Sequence, residues 1–448
     1  MTKKFFLYMF FIALGYFLVF KFTYKALENE HVYGSLFSSF VSTYENQNGV
    51  ISVVKKPFTE INDAAYATMD AAHYSYIRSH WYDINPNDEE TKYNFAFFPL
   101  FPVVWKFFSG LGIITVNYFL YFASILILAF TFCRKSIIAA VIVALALPTL
   151  TVFLLPYTEA LFMFSISIAL LGYKEKKKNL YITGLLLASI TRPVFLLFIC
   201  ALIAAEVFQF LQKKKTERGS TLIAIFVMLS GTFAVAMFQH IFFNVPFFTF
   251  ISSQEHWGTF FRIPETINDW STEGYGMNVG ALMFCFVFGT ASLVSALIKK
   301  QKEETNDFDF WYYFSWIFLM ATCVYVLLFQ GGCLHSLYRY TLCSPFFYVI
   351  LFQNINKIEN LSIKSSLVLL ILFLVSCFIF FDLVNYAKQW DFSKTGFVLL
   401  TSNLLFFILS FRLNNRFKFL IYAFLILCGV FWNCYLYNMF FSRAWIFL

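Results

Sequence analysis

Apolar runs separated by short polar stretches set the pattern of this chain. After Met1-Thr-Lys3-Lys4 an apolar stretch reaches Phe22, and similar runs recur near 4–23, 111–132, 136–154, 157–173, 180–192, 193–211, 220–243, 277–298, 310–330, 340–353, 365–382, 396–411 and 419–440. Runs of roughly 17–25 apolar residues match a hydrocarbon core about 30 Å thick, and a segment in lipid satisfies its own backbone only as a helix. The pattern predicts an all-α, polytopic transmembrane helical bundle of about thirteen spans, a single membrane domain over residues 1–448. The first run is longer than the apolar region of a secretory signal, and Ala26-Leu-Glu-Asn-Glu offers no small-residue cleavage site, so it reads as a retained span.

Composition excludes a water-soluble alternative: 60% of the residues are hydrophobic and only 13% charged, against about 25% charged in an ordinary soluble domain. Charge then orients the bundle. With the N-terminus inside, 20 of the 33 basic residues fall in short cytoplasmic loops, from Lys3 and Lys4 through Lys174–Lys178 and Lys213–Arg218 to Lys418, while the opposite side holds 17 of the 25 acids. This is the positive-inside distribution. It accounts for the net charge of +8 as anchoring, implies contact with membrane lipids and gives no reason to expect a nucleic-acid partner. Most of the nine cysteines, such as Cys200, Cys285 and Cys323, lie inside spans, where a thiol acts as a small apolar group rather than part of a disulfide framework.

Bare spanning does not need what the outer side carries. Residues 24–110 form a long first extracytoplasmic loop that closes in Phe95-Ala-Phe-Phe-Pro99-Leu-Phe-Pro102-Val-Val-Trp105, too short to cross and expected to lie in the interface as helical segments; a second outer loop covers 244–276. Residues 180–211 are too many for one span and too few for two full ones, so two short helices should meet at Thr191-Arg192-Pro193, because proline disfavours helix at the residue before it. Arg192 then sits near the outer surface. A charge at membrane depth is costly enough to signal a partner or ligand unless it snorkels to the headgroups. Arg339, with Tyr338 and Tyr340 beside it, carries a planar donor fork suited to phosphate, or anchors the interface.

The stretch Met69-Asp70-Ala-Ala-His73-Tyr74-Ser-Tyr76-Ile77-Arg78-Ser-His80-Trp81-Tyr82 predicts a helix over 70–81, with Asp70, His73, Tyr74, Ile77 and Trp81 on one face. Asp70 at its start reads either as an N-cap or as a functional carboxylate. This segment, with Asn94-Phe-Ala-Phe-Phe-Pro99-Leu-Phe-Pro102 after it, resembles the PIG-V-like family of membrane mannosyltransferases, whose first outer loop carries an aromatic-Asp, a His-Tyr and an F-F-P-x-x-P run. Four more matches follow in order: Pro156-Tyr157-Thr158-Glu159-Ala160-Leu161-Phe162 resembles a Y-[TS]-E-[AS]-L-F hairpin, Gly184 to Pro193 a G…A…T-R stretch, Gln254 and Trp257 a Q-x-x-W, and Arg339-Tyr340 an R-Y. Met69 replaces the usual aromatic, and His80-Trp81-Tyr82 stands where E-x-G-Y is typical.

The resemblance implies a GT-C glycosyltransferase that takes a sugar from a polyprenyl-phosphate donor to a glycan or lipid acceptor on the extracytoplasmic face, with no separate cofactor and no metal site. It implies Asp70 as the base, with His73, Tyr74, Glu159, Arg192, Gln254, Trp257, Arg339 and Tyr340 around the substrates. Inversion at an anomeric carbon needs those parts: a carboxylate to take the acceptor proton and cations to meet the departing phosphate. Asp307-Phe308-Asp309 has the form used by metal-dependent nucleotide-sugar enzymes, but it falls on the cytoplasmic side and reads as a solvated helix start. The rival classes are a transporter or flippase for a lipid-linked sugar and a polymerase or ligase. The compact length and short Lys-rich loops point to a bacterial inner membrane, with the site on the periplasmic side. A cysteine introduced at position 88, in a variant stripped of exposed native cysteines, should be labelled from outside intact cells while one at position 176 is protected; the reverse pattern would invert this topology.

Overall fold

A computed structural model describes residues 3–27, 42–47, 50–55, 61, 63–85, 87–212, 217–269, 275–301, 310–358, 361–383 and 392–441. The Asp307–Asp309 motif, Trp270 and Lys213–Lys215 lie outside these. The fold is helical, as the apolar runs predict, and departs from all-α in one place: Ser42–Gln47 and Val50–Lys55 pair as an antiparallel hairpin, with Ser42 opposite Lys55. That hairpin lies within the loop expected to contain interfacial helices. None of the nine cysteines is joined in a disulfide.

Six helices among the described residues are long and apolar enough to cross a membrane: Leu7–Leu27, Gly110–Phe132, Arg218–Phe243, Gly276–Ile298, Phe310–Phe329 and Arg416–Phe441, or seven if one bent pair counts as a span. The expected thirteen are not reached, because several apolar runs form short helices. Glu159–Lys174 has 16 residues, Lys178–Ser189 has 12 and Phe195–Leu211 has 17. At 1.5 Å per residue these reach about 24, 18 and 26 Å, short of a full hydrocarbon core. A helical integral membrane protein built this way has a hollow at the ends of its short helices.

The bent pair fixes where one of these short helices starts. Ile137–Ala146 is followed by the 3-10 segment Pro148–Leu154 at an angle of 80°. Pro148 has no amide hydrogen to continue the helix ladder, so the Ala144 carbonyl loses that donor. Side chains of neighbouring helices donate to it and to further carbonyls along the bend. Tyr121 donates to the Ala144 carbonyl at 2.9 Å, Asn433 Nδ2 to Leu147 at 3.4 Å, and Asn117 Nδ2 to Leu155 at 2.7 Å and Tyr157 at 3.1 Å. Thr151 Oγ1 donates to Asn433 Oδ1 at 2.5 Å. The result is a fixed turn at Leu155–Thr158 from which the helix Glu159–Lys174 starts.

Small residues set the next spacing. A Cβ on Gly184 would lie 2.5 Å from the Ala169 amide nitrogen and the Ser165 carbonyl oxygen, so the helices Glu159–Lys174 and Lys178–Ser189 touch backbone to backbone. This close approach brings the chain after Ser189 alongside the start of the other helix. The Phe95–Trp105 run forms the end of a 3-10 helix, Glu89–Ala96, and a short helix, Leu100–Trp105, as short helical segments were expected there, and Phe95, Phe98, Phe101 and Trp105 are all buried within the protein. Their rings pack against Tyr74, Tyr82 and Phe250, so this part of the first long loop belongs to the core.

Asn117→Leu keeps the approximate size of the side chain but removes a donor from two buried carbonyls, leaving Leu155 with its bond from the Tyr157 amide at 2.8 Å and Tyr157 without the Asn117 amide. It should lower the unfolding free energy by on the order of 1–3 kcal/mol. Thr115→Val, at an exposed hydroxyl that only returns to the Leu111 carbonyl, should stay within about 0.5 kcal/mol. Thermal unfolding of both variants in one detergent checks the contrast.

Candidate active site

Four charged side chains from four separate segments meet at the end of the short helices. Glu159 opens its helix, where the positive end of the helix dipole favours a carboxylate. Its Oε1 accepts from Arg192 Nη1 at 2.9 Å and from Arg339 Nε at 2.6 Å. Arg339 Nη1 donates to Asp70 Oδ2 at 2.7 Å. Two carboxylates and two guanidinia thus form one chain of contacts, Arg192–Glu159–Arg339–Asp70. Its burial is graded: the side chains of Glu159 and Arg339 are each 2% exposed, Arg192 18% and Asp70 20%.

Local structure explains each position. Arg192 lies in the break between Lys178–Ser189 and Phe195–Leu211, as the Thr191-Arg192-Pro193 spacing predicts. It is neither snorkelling nor solitary. Arg339 sits in the short helix Leu337–Thr341, which follows Ser336 at a left-handed φ of 62°. Its guanidinium lies 4.0 Å from the Tyr157 ring centroid, and Tyr340 flanks both arginines at 5.7 and 5.9 Å. A nearly buried arginine held by two carboxylates is no interfacial anchor. Two of its fork's donors are engaged, Nε by Glu159 and Nη1 by Asp70.

Asp70 is the first residue of the helix Asp70–His80, and the N-cap position belongs to Met69, which makes no side-chain cap bond. The capping reading therefore fails: the carboxylate turns to Arg339. The helix also ends one residue earlier than expected. Trp81 follows it at φ 58° and packs against Phe238 instead of continuing the face of Asp70, His73 and Tyr74. His73 holds Asn94 Oδ1 at 2.8 Å through Nδ1 and stacks on Phe97 at 4.5 Å. Tyr74 is buried against Phe97 and Phe101, and that burial pushes its phenol well above its ordinary range, so it stays a neutral hydroxyl.

The cluster lies on the wall of a cavity of about 2120 Å³. All nine residues singled out from sequence line it: Asp70, His73, Tyr74, Glu159, Arg192, Gln254, Trp257, Arg339 and Tyr340. Trp257 reaches in from the second outer loop, edge-on to His73 and Phe97 at 5.6 Å each. The two loops are clasped beside it, with His256 stacked 3.6 Å from Tyr93 and 3.2 Å from Glu90 Oε2. Below the charges the cavity becomes apolar, running between Phe195–Leu211, which contributes Leu196 and Cys200, and Phe310–Phe329, which contributes Phe318, Ala321 and Tyr325. Leu196 and Val324 are exposed on its flank.

Sequence reasoning missed Tyr157 beneath Arg339 and a buried support behind it. Asp269 Oδ2 accepts from Asn278 Nδ2 at 2.7 Å, and Asn278 Oδ1 accepts from the Tyr338 amide at 2.9 Å, tying the Arg339 helix to the second outer loop. Arg262 also lines the cavity. Tyr157 stands inside a motif already singled out; nothing in the spacing of Asp269, Asn278 or Arg262 marks them. Among the described residues no group of three or more His, Cys, Asp or Glu is placed to hold a metal ion. In comparisons with protein-family models, with curated proteins and with solved structures, nothing matches this chain.

Removing the central guanidinium leaves Asp70 unpaired and Glu159 half-compensated. Breaking a buried pair costs about 3–5 kcal/mol, so Arg339→Ala should show a large fall in thermal stability. Arg339→Lys, a point charge with no fork, should fall between it and the wild type, because one ammonium does not reach both carboxylates with the same geometry. Equal stability in all three would mean that the contacts carry no weight.

Proposed function

We propose that this chain is a membrane glycosyltransferase, a mannosyltransferase of GT-C type, that moves a sugar from a polyprenyl-phosphate donor to an acceptor hydroxyl with inversion. The observation that carries the reading is the Asp70–Arg339 contact on the cavity wall, a carboxylate and two guanidinia gathered where one substrate can touch all three. In inverting transfer the carboxylate takes the acceptor proton while cations stabilise the charge growing on the leaving phosphate. Asp70 is the base; Arg339 and Arg192 meet the phosphate. The resemblance of the motifs around Asp70, Glu159, Arg192, Gln254, Trp257 and Arg339 to the PIG-V-like family supports the same assignment.

The cavity supports the substrate class. At about 2120 Å³ it exceeds the 300–1,000 Å³ usual for small-molecule sites, and it joins a charged end to an apolar channel open at its flank. That shape suits a phosphate with a sugar on one side and an isoprenoid tail on the other. His73, Tyr74, Trp257 and Gln254, around the polar end, are placed to hold sugar rings and hydroxyls. In this reading all thirteen apolar segments are membrane-embedded, the N-terminus is cytoplasmic and the site faces the periplasm of a bacterial inner membrane.

A flippase is the competing reading that one observation favours, since an 80° break in an apolar helix also occurs along transport paths. Incubation of the purified protein with a panel of polyprenyl-phosphate sugars separates the two: transfer releases polyprenyl phosphate, whereas transport leaves the sugar–phosphate bond intact. Asp70→Asn keeps the shape but accepts no proton, and should lose about 10²–10⁴-fold in turnover, the usual contribution of a general base. Wild-type turnover in that variant would remove Asp70 from the mechanism.

A further inference from the structure

The proposed mechanism asks one hydrogen bond to do two incompatible things. Arg339 is to receive a phosphate and Asp70 a proton, yet each occupies the other: Nη1 of Arg339 is bound to Oδ2 of Asp70 at 2.7 Å. The two carboxylates described against Arg339 are not equivalent. Glu159 is buried, starts a helix fixed by backbone contact at Gly184, and uses Oε1 to hold Arg192 as well. Asp70 is ten times more exposed, 20% against 2%, and faces the cavity. It also follows Met69, held at φ 53°, ψ −139°, outside the regions that L-residues ordinarily occupy.

Resting on the glycosyltransferase reading, we propose that Asp70 is a displaceable counter-ion of Arg339, and that the donor's phosphate replaces it there and so frees it to act as the base. Glu159 is the permanent counter-ion, keeping Arg339 and Arg192 side by side after Asp70 leaves. A phosphate offers more charge and more acceptor oxygens than a carboxylate to the same guanidinium, so the exchange runs toward the bound donor. The acceptor's proton then passes to Asp70, its oxygen bonds to the anomeric carbon, and the bond from that carbon to the phosphate oxygen breaks. The electron pair leaves on polyprenyl phosphate, whose added charge Arg339 and Arg192 take up. Before the donor arrives the base is engaged, so no proton is taken from an acceptor or from water without a sugar to receive the oxygen.

The consequence runs against the usual expectation for a catalytic residue: removing Asp70 strengthens phosphate binding. Full-length protein in detergent is titrated with farnesyl phosphate, a short polyprenyl phosphate. Asp70→Asn and Asp70→Ala should bind it about tenfold or more tightly than the wild type, the scale set by loss of a competing charge-assisted contact. Glu265→Gln, which removes another cavity-lining carboxylate, should stay within about twofold. Unchanged or weaker binding in both Asp70 variants sinks the exchange, and an equal gain in Glu265→Gln sinks it too by reducing the effect to general charge. A second readout needs no variant: farnesyl phosphate should increase carboxyl-reagent labelling of Asp70 in the wild type, read on its peptide by mass spectrometry, whereas simple shielding decreases it. If no form binds farnesyl phosphate, the lipid-phosphate reading itself falls and this inference with it; equal binding in all forms removes the inference alone.

Discussion

Everything around the cavity depends on placing Arg339 where two carboxylates reach it. Taking a guanidinium out of water is unfavourable by several kcal/mol, and mutual attraction offsets that only if the geometry and the remaining hydrogen bonds are good. Here the geometry is good: Nε and Nη1 each meet a carboxylate within 2.7 Å, and the Tyr157 ring covers one face at 4.0 Å. The contacts join residues 180 and 269 positions apart in the chain. Such an arrangement specifies the fold more than it stabilises it, because apolar residues of similar size would fill the space at less desolvation cost. Its retention inside a lipid-facing protein is the physical reason to expect chemistry there.

The bent segment is what makes this placement possible. A straight helix over 137–154 would carry the chain on along one axis before the return helix could begin. Turning 80° after Ala146 places the start of Glu159–Lys174 sooner, and the Tyr121, Asn117 and Asn433 side chains hold that turn by donating to its carbonyls. Backbone contact at Gly184 then lets Arg192 arrive from the neighbouring helix. Polar side chains scattered through the apolar spans thus serve the site at a distance.

Much of this was legible in the chain and some was not, for identifiable reasons. The break at Thr191-Arg192-Pro193 was readable because proline acts locally, and the helix from Asp70 because its periodicity is strong. The nine residues singled out do share one cavity. Thirteen full spans were not readable as such, since hydropathy registers an apolar run without saying whether it crosses, bends at Leu147-Pro148 or stops short like Lys178–Ser189. The packing of the Phe95–Trp105 run was not legible for a related reason. An aromatic segment with two prolines suits an interface or a crowded core equally well, and its partners, Tyr74, Tyr82 and Phe250, come from elsewhere in the chain. Pairing between Arg339, Glu159 and Asp70 was invisible because nothing in spacing couples positions so far apart.

Backbone strain falls beside the same contacts. Among the described residues six non-glycine residues have positive φ, and two of them adjoin the ends of the Asp70–Arg339 pair: Met69 immediately before Asp70, and Ser336 opening the short helix that carries Arg339. Each such conformation costs on the order of 1–3 kcal/mol and persists only where the surroundings over-determine it. At Ser336 they do so through the Asp269–Asn278–Tyr338 hydrogen bonds, which hold the helix whether or not Asp70 is present. At Met69 the restraints are the backbone bonds from Ala71 to the Thr68 carbonyl and from Ala72 to the Met69 carbonyl, with the Asp70–Arg339 bond beside them. Separating that pair would remove one restraint on the Asp70 side while leaving those on the Arg339 side in place, an asymmetry suited to a base that moves against a cation that does not.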